Sequence, residues 1–328
     1  VSAIRGPSAT EGAGPDLLSL TVGVATFRRP TDLGRVLPLL VTQAEDAARR
    51  GLVSRATVLV VDNDPEASAR TTVDSLRSGV SYVVEPRAGV AAARNRILDE
   101  ARTDLLVFID DDETPEGDEW LSSLLDARTR YAADGVAGPV RTVIAGELDP
   151  WIVAGQFFRR GHRTTLRTGT PIERAATNNL LLDLRFVRRA GVRFDDDFGR
   201  SGGEDSLFSA QLRTAGARLI WTADAAVLDH LPPERQTRAY ALSRTHAMAS
   251  AGVRVNVALR TTPSGRLAAR GRGLLIGTAR MLLGGGRIAA GAVLGSVGLD
   301  AVGRRELHRG MGAISGSLGR RTLHYGGE

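Results

Sequence analysis

The chain of 328 residues contains neither cysteine nor lysine. Without cysteine there is no disulfide framework, zinc-thiolate site or thiol nucleophile, and the compartment expected by default is the cytoplasm. Without lysine all 43 basic residues are arginine, which excludes Schiff-base chemistry and a Walker-type phosphate lysine. The first apolar run is followed by neither GxGxxG nor GxxxxGK, so a Rossmann dehydrogenase and a P-loop enzyme are both disfavoured. Aromatic residues make up only 5% of the chain, and no aromatic-studded basic stripe argues for nucleic acid. The longest uncharged run near the C-terminus, Ile288 to Leu299, is far short of the roughly 20 residues that span a bilayer. Val1 to Pro15 lacks an apolar segment and is expected to be a disordered tail, not a secretion signal.

What is present is ordinary globular composition, 42% hydrophobic and 24% charged. The charge is unevenly placed. Residues 235–328 carry 15 arginines against Asp300, Glu306 and Glu328, a balance of +12, whereas residues 1–234 balance at −6. A basic tail on an acidic body suits an anionic surface. Its apolar helices, edged by Arg270, Arg272, Arg280 and Arg287, are suited either to peripheral contact with the inner face of the cell membrane or to packing as a hairpin on the remainder.

Four apolar runs read as strands: Leu18 to Thr26, Thr57 to Val61, Val80 to Val84, and Leu105 to Ile109. Each is followed by a helical pattern, so the expected fold is α/β with a mostly parallel central sheet flanked by helices. The polar clusters after these strands then fall on the edge where open α/β sheets bind ligands. Asp64 reads as an N-cap before Pro65, whereas Asp62 has no evident capping duty. The fourth run stops on Asp110-Asp111-Asp112-Glu113. Taken alone, that cluster allows two readings: carboxylates gathered around a cation, or an acidic turn opening a helix from Thr114 and Pro115 to Ala132. Further strands are expected at Val136 to Ile144, Leu180 to Leu184, Arg218 to Trp221 and Ala225 to Leu228, with Asp195 to Asp197 in a solvated loop. Helix Arg235 to Val257 and an apolar segment, Leu267 to Val302, follow.

The order of motifs resembles the inverting family 2 glycosyltransferases of GT-A fold, most nearly the branch similar to the glucosyltransferases of succinoglycan-type exopolysaccharide assembly. The resemblance covers roughly residues 18 to 235. It rests on Ala25-Thr26-Phe27-Arg28-Arg29-Pro30, Val60-Val61-Asp62-Asn63-Asp64, Glu85-Pro86-Arg87-Ala88-Gly89 with Ala93-Arg94-Asn95, Phe108-Ile109-Asp110-Asp111-Asp112-Glu113, Gly202-Gly203-Glu204-Asp205 and Asp229-His230. It implies a nucleotide-binding half, 18–113, an acceptor half, 114–235, and a basic helical extension, 236–328.

The same resemblance implies a nucleotide-sugar donor, probably UDP-linked, a glycan or lipid-linked acceptor, and Mn²⁺ or Mg²⁺ as cofactor. Asp112 would be the direct metal ligand, Asp110 a ribose or metal-water contact, and His230 a ligand completing the site or a turn residue. Thr26, Phe27 and Arg28 would wrap the base, with Asp62 or Asn63 on its edge and Asp111 among the nucleotide-binding residues. Arg94 would reach the diphosphate or base, or else pair with Asp99 or Glu100 at the surface. Asp205 would be the catalytic base, Glu204 a group orienting acceptor hydroxyls, and Gly202, Gly203 and Asn178 sugar contacts. Alternatives are a polyprenyl-phosphate glycosyltransferase of the same fold and a noncatalytic carbohydrate or nucleotide binder. An aspartate-nucleophile phosphatase would want its acid after the first strand, where Thr26-Phe27-Arg28 stands.

Overall fold

The computed structural model describes residues 17–76, 79–159, 165–199 and 201–320; the expected N-terminal tail lies outside them. Strands β1 (Ser19–Thr26), β2 (Arg55–Asp62), β3 (Val80–Val84) and β4 (Leu105–Asp110) form the parallel part of a seven-stranded sheet in the order β3-β2-β1-β4. Three crossover helices join them: α1 (Pro30–Arg49), α2 (Arg70–Asp74) and α3 (Val90–Glu100). Alternation along β4 serves two cores. Leu105, Val107 and Ile109 face Leu33, Leu37 and Trp120, while Leu106 and Phe108 face Ile97, Leu182 and Phe208. Continuous apolar runs therefore mark strands buried on both faces. Register aligns Thr26 with Asp62 and Ala25 with Asp110, which brings three polar strand ends to one edge.

Two helix starts differ from the sequence expectation. Pro65 opens no helix: the Asp62 carboxylate accepts from the backbone NH of Asp64 and of Ala69, the residue capping α2, and so ties down the intervening turn. Asp64 accepts from the NH of Glu66 within that turn. Thr114 and Pro115 also start no helix. Glu113–Pro115 is strand β5, and the helix, α4 (Trp120–Tyr131), begins later. Gln43 of α1 explains the delay, because its amide donates to the Gly117 carbonyl and its oxygen accepts from the Leu121 NH.

The expected strand Val136 to Ile144 is two strands in two sheets. β6 (Gly135–Ala137) joins the large sheet and β7 (Val140–Ile144) the small one. Gly138 turns the corner between them where a Cβ would lie 2.1 Å from the Ala225 carbonyl oxygen. After α5 (Pro150–Gly155), β8 (Asn179–Asp183) runs antiparallel between β4 and β6. Helices α6 (Leu184–Ala190) and α7 (Glu204–Thr214) and strand β9 (Leu219–Trp221) complete the large sheet and its cover. Strand β10 (Val227–Leu231) lies between β5 and β7 in the second sheet.

The C-terminal region forms α8 (Arg238–Ala258), α9 (Pro263–Leu294) and α10 (Val297–Ser317). Helices α9 and α10 make a hairpin whose contact is backbone on backbone. A Cβ on Gly310 would sit 2.5 Å from the Gly277 oxygen, and one on Gly303 would sit 2.8 Å from the Gly284 oxygen. Small residues permit that approach, at a helix-propensity cost of roughly 0.5–1 kcal/mol per glycine. α10 docks on α8 through Gly312 and Gly316 and on α5 through Asp300, which accepts from Trp151 Nε1 at 2.6 Å. Packing on the α/β body is thus realised. No described helix is long and apolar enough to cross a membrane.

Candidate active site

A cavity of 580 Å³ opens at the polar sheet edge, and its walls include Thr26, Phe27, Arg28, Asn63, Arg94, Asp110, Asp111, Asp112 and Glu204. The loop after β1 makes one wall. Arg28 holds a left-handed backbone (φ 53°), its Nε donates to Asp64 at 3.2 Å, and its guanidinium lies 5.1 Å from the Phe27 ring centre. A strained non-glycine residue at a ligand edge fits a loop shaped for binding. Asn63 pins the opposite wall: its amide donates to the carbonyls of Glu85 and Arg87, and its oxygen accepts from the Gly89 NH. Asp62 is fully buried, bonded to Tyr82 and to the turn described above, and does not line the cavity.

The acidic triplet divides its work. Asp111 points inward, accepts from Thr26 Oγ1 at 2.7 Å, and is pushed up to about 7 by burial, against the opposing charge of Arg29. Arg29 Nη1 bridges Asp111 at 3.0 Å and Asp112 at 2.8 Å, with Arg235 3.5 Å from Asp112. Burial works against the Arg29 charge, but these carboxylates outweigh it and keep the guanidinium protonated. Asp110 and Asp112 keep side chains 34% and 17% exposed at the cavity.

No group of three or more His, Cys, Asp or Glu side chains among the described residues is arranged to hold an ion by itself. Two cavity-facing carboxylates nevertheless suit Mg²⁺ or Mn²⁺, because such ions bind through one or two carboxylates with water and substrate phosphates supplying the other oxygens. His230 lies apart from this set. On β10 its neighbours Asp229 and Leu231 line the cavity, so period-two alternation turns His230 to the other face, where Nε2 meets Thr114 Oγ1 at 3.0 Å. Burial, then Arg35, lowers its pKa and favours neutral imidazole.

Gly202 (φ 77°) and Gly203 (φ 95°) form an elbow that starts α7 on Glu204 and Asp205. Arg94 joins this elbow to the strand end, donating through Nη1 to Glu204 at 2.6 Å and through Nη2 to Asp110 at 3.0 Å. Desolvation raises the pKa of both Glu204 and Asp205, with Arg94 opposing it in each. Asp205 lines not the first cavity but a second, a groove of 980 Å³ that also includes Asn178 and lies against α8, α9 and α10. Asn178 Nδ2 donates to Glu113. Phe158 and Arg244 line both spaces, so the two adjoin.

Sequence reasoning missed Arg29, Asp229 and the part played by α8. The doubled arginine of Arg28-Arg29 was the available signal for the first, and alternation along β10 for the second. α8 braces the elbow: Arg254 bonds Ser201 Oγ and the Asp197 carbonyl, while Val255 packs with Phe198 and Leu207. The Asp195 to Asp197 loop is therefore held at Asp197 and not simply solvated.

A sheet edge that gathers carboxylates and arginines above a nucleotide-sized cavity, beside a second groove with its own acid, defines a GT-A glycosyltransferase. Residues 21–182 match the profile of Glycosyl transferase family 2. The chain is 34% identical over 236 residues to the succinoglycan biosynthesis protein ExoM of Rhizobium meliloti (strain 1021), covering 70% of this chain and 72% of that protein. Among solved structures it resembles S. aureus TarS 1-349, with TM-score 0.50, 14% identity, and coverage of 88% of this chain and 90% of that one. It also resembles GalNAc-T7 with UDP, GalNAc and Mn²⁺, with TM-score 0.50, 13% identity and coverage of 72% of this chain, but it spans only 52% of that chain's length. The protein belongs to glycosyl transferase family 2, and its activity is transfer of a sugar from a nucleotide-sugar donor to an acceptor.

Proposed function

We propose that the protein is a metal-dependent inverting transferase that takes its donor as a UDP-sugar and delivers the sugar to a hydroxyl of a glycan or lipid-linked oligosaccharide. The observation that carries this reading is the Arg94 bridge between Asp110 and Glu204, next to Asp205, which joins the donor-side carboxylates to the acid pair. Asp112 and Asp110 would hold Mg²⁺ or Mn²⁺, which supplies charge stabilisation to the departing diphosphate. Asp205, on the groove side, takes the proton of the acceptor hydroxyl as its oxygen bonds to the anomeric carbon. The bond from that carbon to the diphosphate oxygen breaks with its electron pair leaving on the nucleotide. Glu204, held by Arg94, stays on the donor side. A base of this kind is superfluous for a polyprenyl-phosphate acceptor, whose nucleophile is already ionised. A panel of UDP-, GDP- and TDP-sugars with Mn²⁺ tests the reading, with product configuration assigned by NMR. Turnover confined to a UDP-sugar with inverted configuration is expected; a retained configuration sinks the proposed mechanism.

The extension suits peripheral membrane contact. α9 carries five arginines and no acid, and its outer face exposes Leu275 (74%), Leu282 (73%) and Val293 (85%). Apolar helices rimmed with arginine lie in anionic interfaces. The expected result is flotation with phosphatidylglycerol liposomes that is lost in Leu275→Ser/Leu282→Ser, and undiminished flotation of that variant would refute the contact.

A further inference from the structure

The groove beside Asp205 carries charge that donor chemistry does not use. Among the described residues its walls hold seven arginines and one carboxylate, Asp205. Three of the arginines, Arg280 from α9 with Arg305 and Arg309 from α10, gather around a single acid. Glu306 lies 3.1 Å from Arg280, 3.9 Å from Arg305 and 3.1 Å from Arg309. Burial destabilises the Arg305 guanidinium, and Arg309, Arg287 and Arg280 add like-charge repulsion that Glu306 only partly offsets, so its pKa falls below the arginine norm. Its Nε is buried with no hydrogen-bond partner among the described residues. Three cations on one anion, half-buried in a groove, leave an excess of two positive charges. A carboxylate would offset one of them; a phosphate diester pair or a diphosphate offsets both and accepts the forked donors of arginine.

We infer that this groove is the acceptor site and that the acceptor bears a phosphate or diphosphate ester, held by Arg280 and Arg309 while one of its sugar hydroxyls reaches Asp205. The inference rests on the reading of Asp205 as the base. A solvent-excluded pair of walls explains the selectivity: α8, α9 and α10 supply the anion clamp, and the α/β body supplies the acid. The ester has two natural sources, a carrier lipid and a soluble sugar phosphate, and they share the chemistry that the arginines recognise.

Titration calorimetry on the full chain, saturated with UDP and with Mg²⁺ in excess, tests this with two probes, citronellyl diphosphate and inorganic pyrophosphate. Arg280→Gln/Arg309→Gln is compared with wild type and with Arg55→Gln/Arg102→Gln, which removes the same charge from two exposed sites outside both cavities. Citronellyl diphosphate is expected to bind wild type and the control pair alike, and the groove variant at least about 30-fold more weakly. Arg280→Lys/Arg309→Lys, which keeps charge but loses the fork, is expected between them. Equal affinity in all four proteins, or no saturable binding to wild type, overturns the inference. Tighter binding of citronellyl diphosphate than of pyrophosphate assigns the ester to a lipid carrier, and equal binding assigns it to a sugar phosphate. Because the readout is binding, it stands apart from the reaction: wild type that transfers sugar yet ignores both probes leaves the base intact and removes only the anion clamp.

Discussion

Asp205→Asn is expected to lower sugar transfer by about 10²–10⁴ while leaving UDP affinity within about twofold, because it removes a general base that does not line the nucleotide cavity. The amide is isosteric and keeps an oxygen to accept from the Ser206 NH, so the start of α7 is preserved. The pH profile adds a second readout. Desolvation raises the pKa of Asp205, so the base is still protonated at a pH where a free aspartate, near 3.9, has ionised. Transfer should therefore rise with pH along a limb displaced upward from that value, and the limb should vanish in Asp205→Asn. The sign for stability is the reverse: a carboxylate with a raised folded pKa favours the fold while protonated, and that contribution is lost as pH rises through the folded value. A variant that keeps more than a tenth of wild-type transfer, measured by single-turnover kinetics, removes Asp205 from the mechanism.

The second large effect is expected at the strand end. Asp112→Ala should reduce transfer by about 10³-fold or more and abolish its response to Mn²⁺, since several kcal/mol of diphosphate stabilisation pass through the metal. Chelation of wild type with EDTA should give the same loss, reversed by Mn²⁺ or Mg²⁺. The fold should tolerate the change. Asp112 is partly exposed, and Arg29 retains its buried partner Asp111 when Asp112 is gone, so the loss of stability is expected to stay near the 0–1 kcal/mol of a surface pair. Asp111→Ala should behave in the opposite way, losing stability first, because Thr26 and Arg29 both depend on it. Full activity in EDTA-treated wild type would eliminate the metal from the reaction.

Strand positions were legible where apolar runs were continuous, because β1, β2 and β4 are buried on both faces and no other local pattern competes. The polar strand ends on one edge followed from parallel connectivity alone. Helix starts were less legible. Pro65 and Pro115 are good first residues of helices in isolation, but a distant glutamine, Gln43, and a strand pairing with β10 decided the second case. Neither influence is encoded within several residues of the proline. At the site, residue types were readable and directions were not. Asp62, Asp110, Asp111 and Asp112 all follow strands, yet one is spent on a turn, one is buried against Thr26, and two face the cavity. His230 and Asp229 differ by a single step along β10, which suffices to exchange faces. The arginine cluster around Glu306 joins two helices across a hairpin, and only the packed structure reveals how many cations share that acid.

The glycine contact between α9 and α10 separates two properties that most helices must satisfy with the same side chains. Where partners meet through their backbones, cohesion depends on the absence of side chains at Gly277, Gly284, Gly303 and Gly310. Residues on the far side, such as Leu275 and Leu282, are then released from any structural obligation. Related chains can rewrite that outer surface, adapting it to another lipid or another subunit, without renegotiating the hairpin. Evolution has here a changeable skin on an invariant hinge pin, and mutagenesis inherits the same freedom.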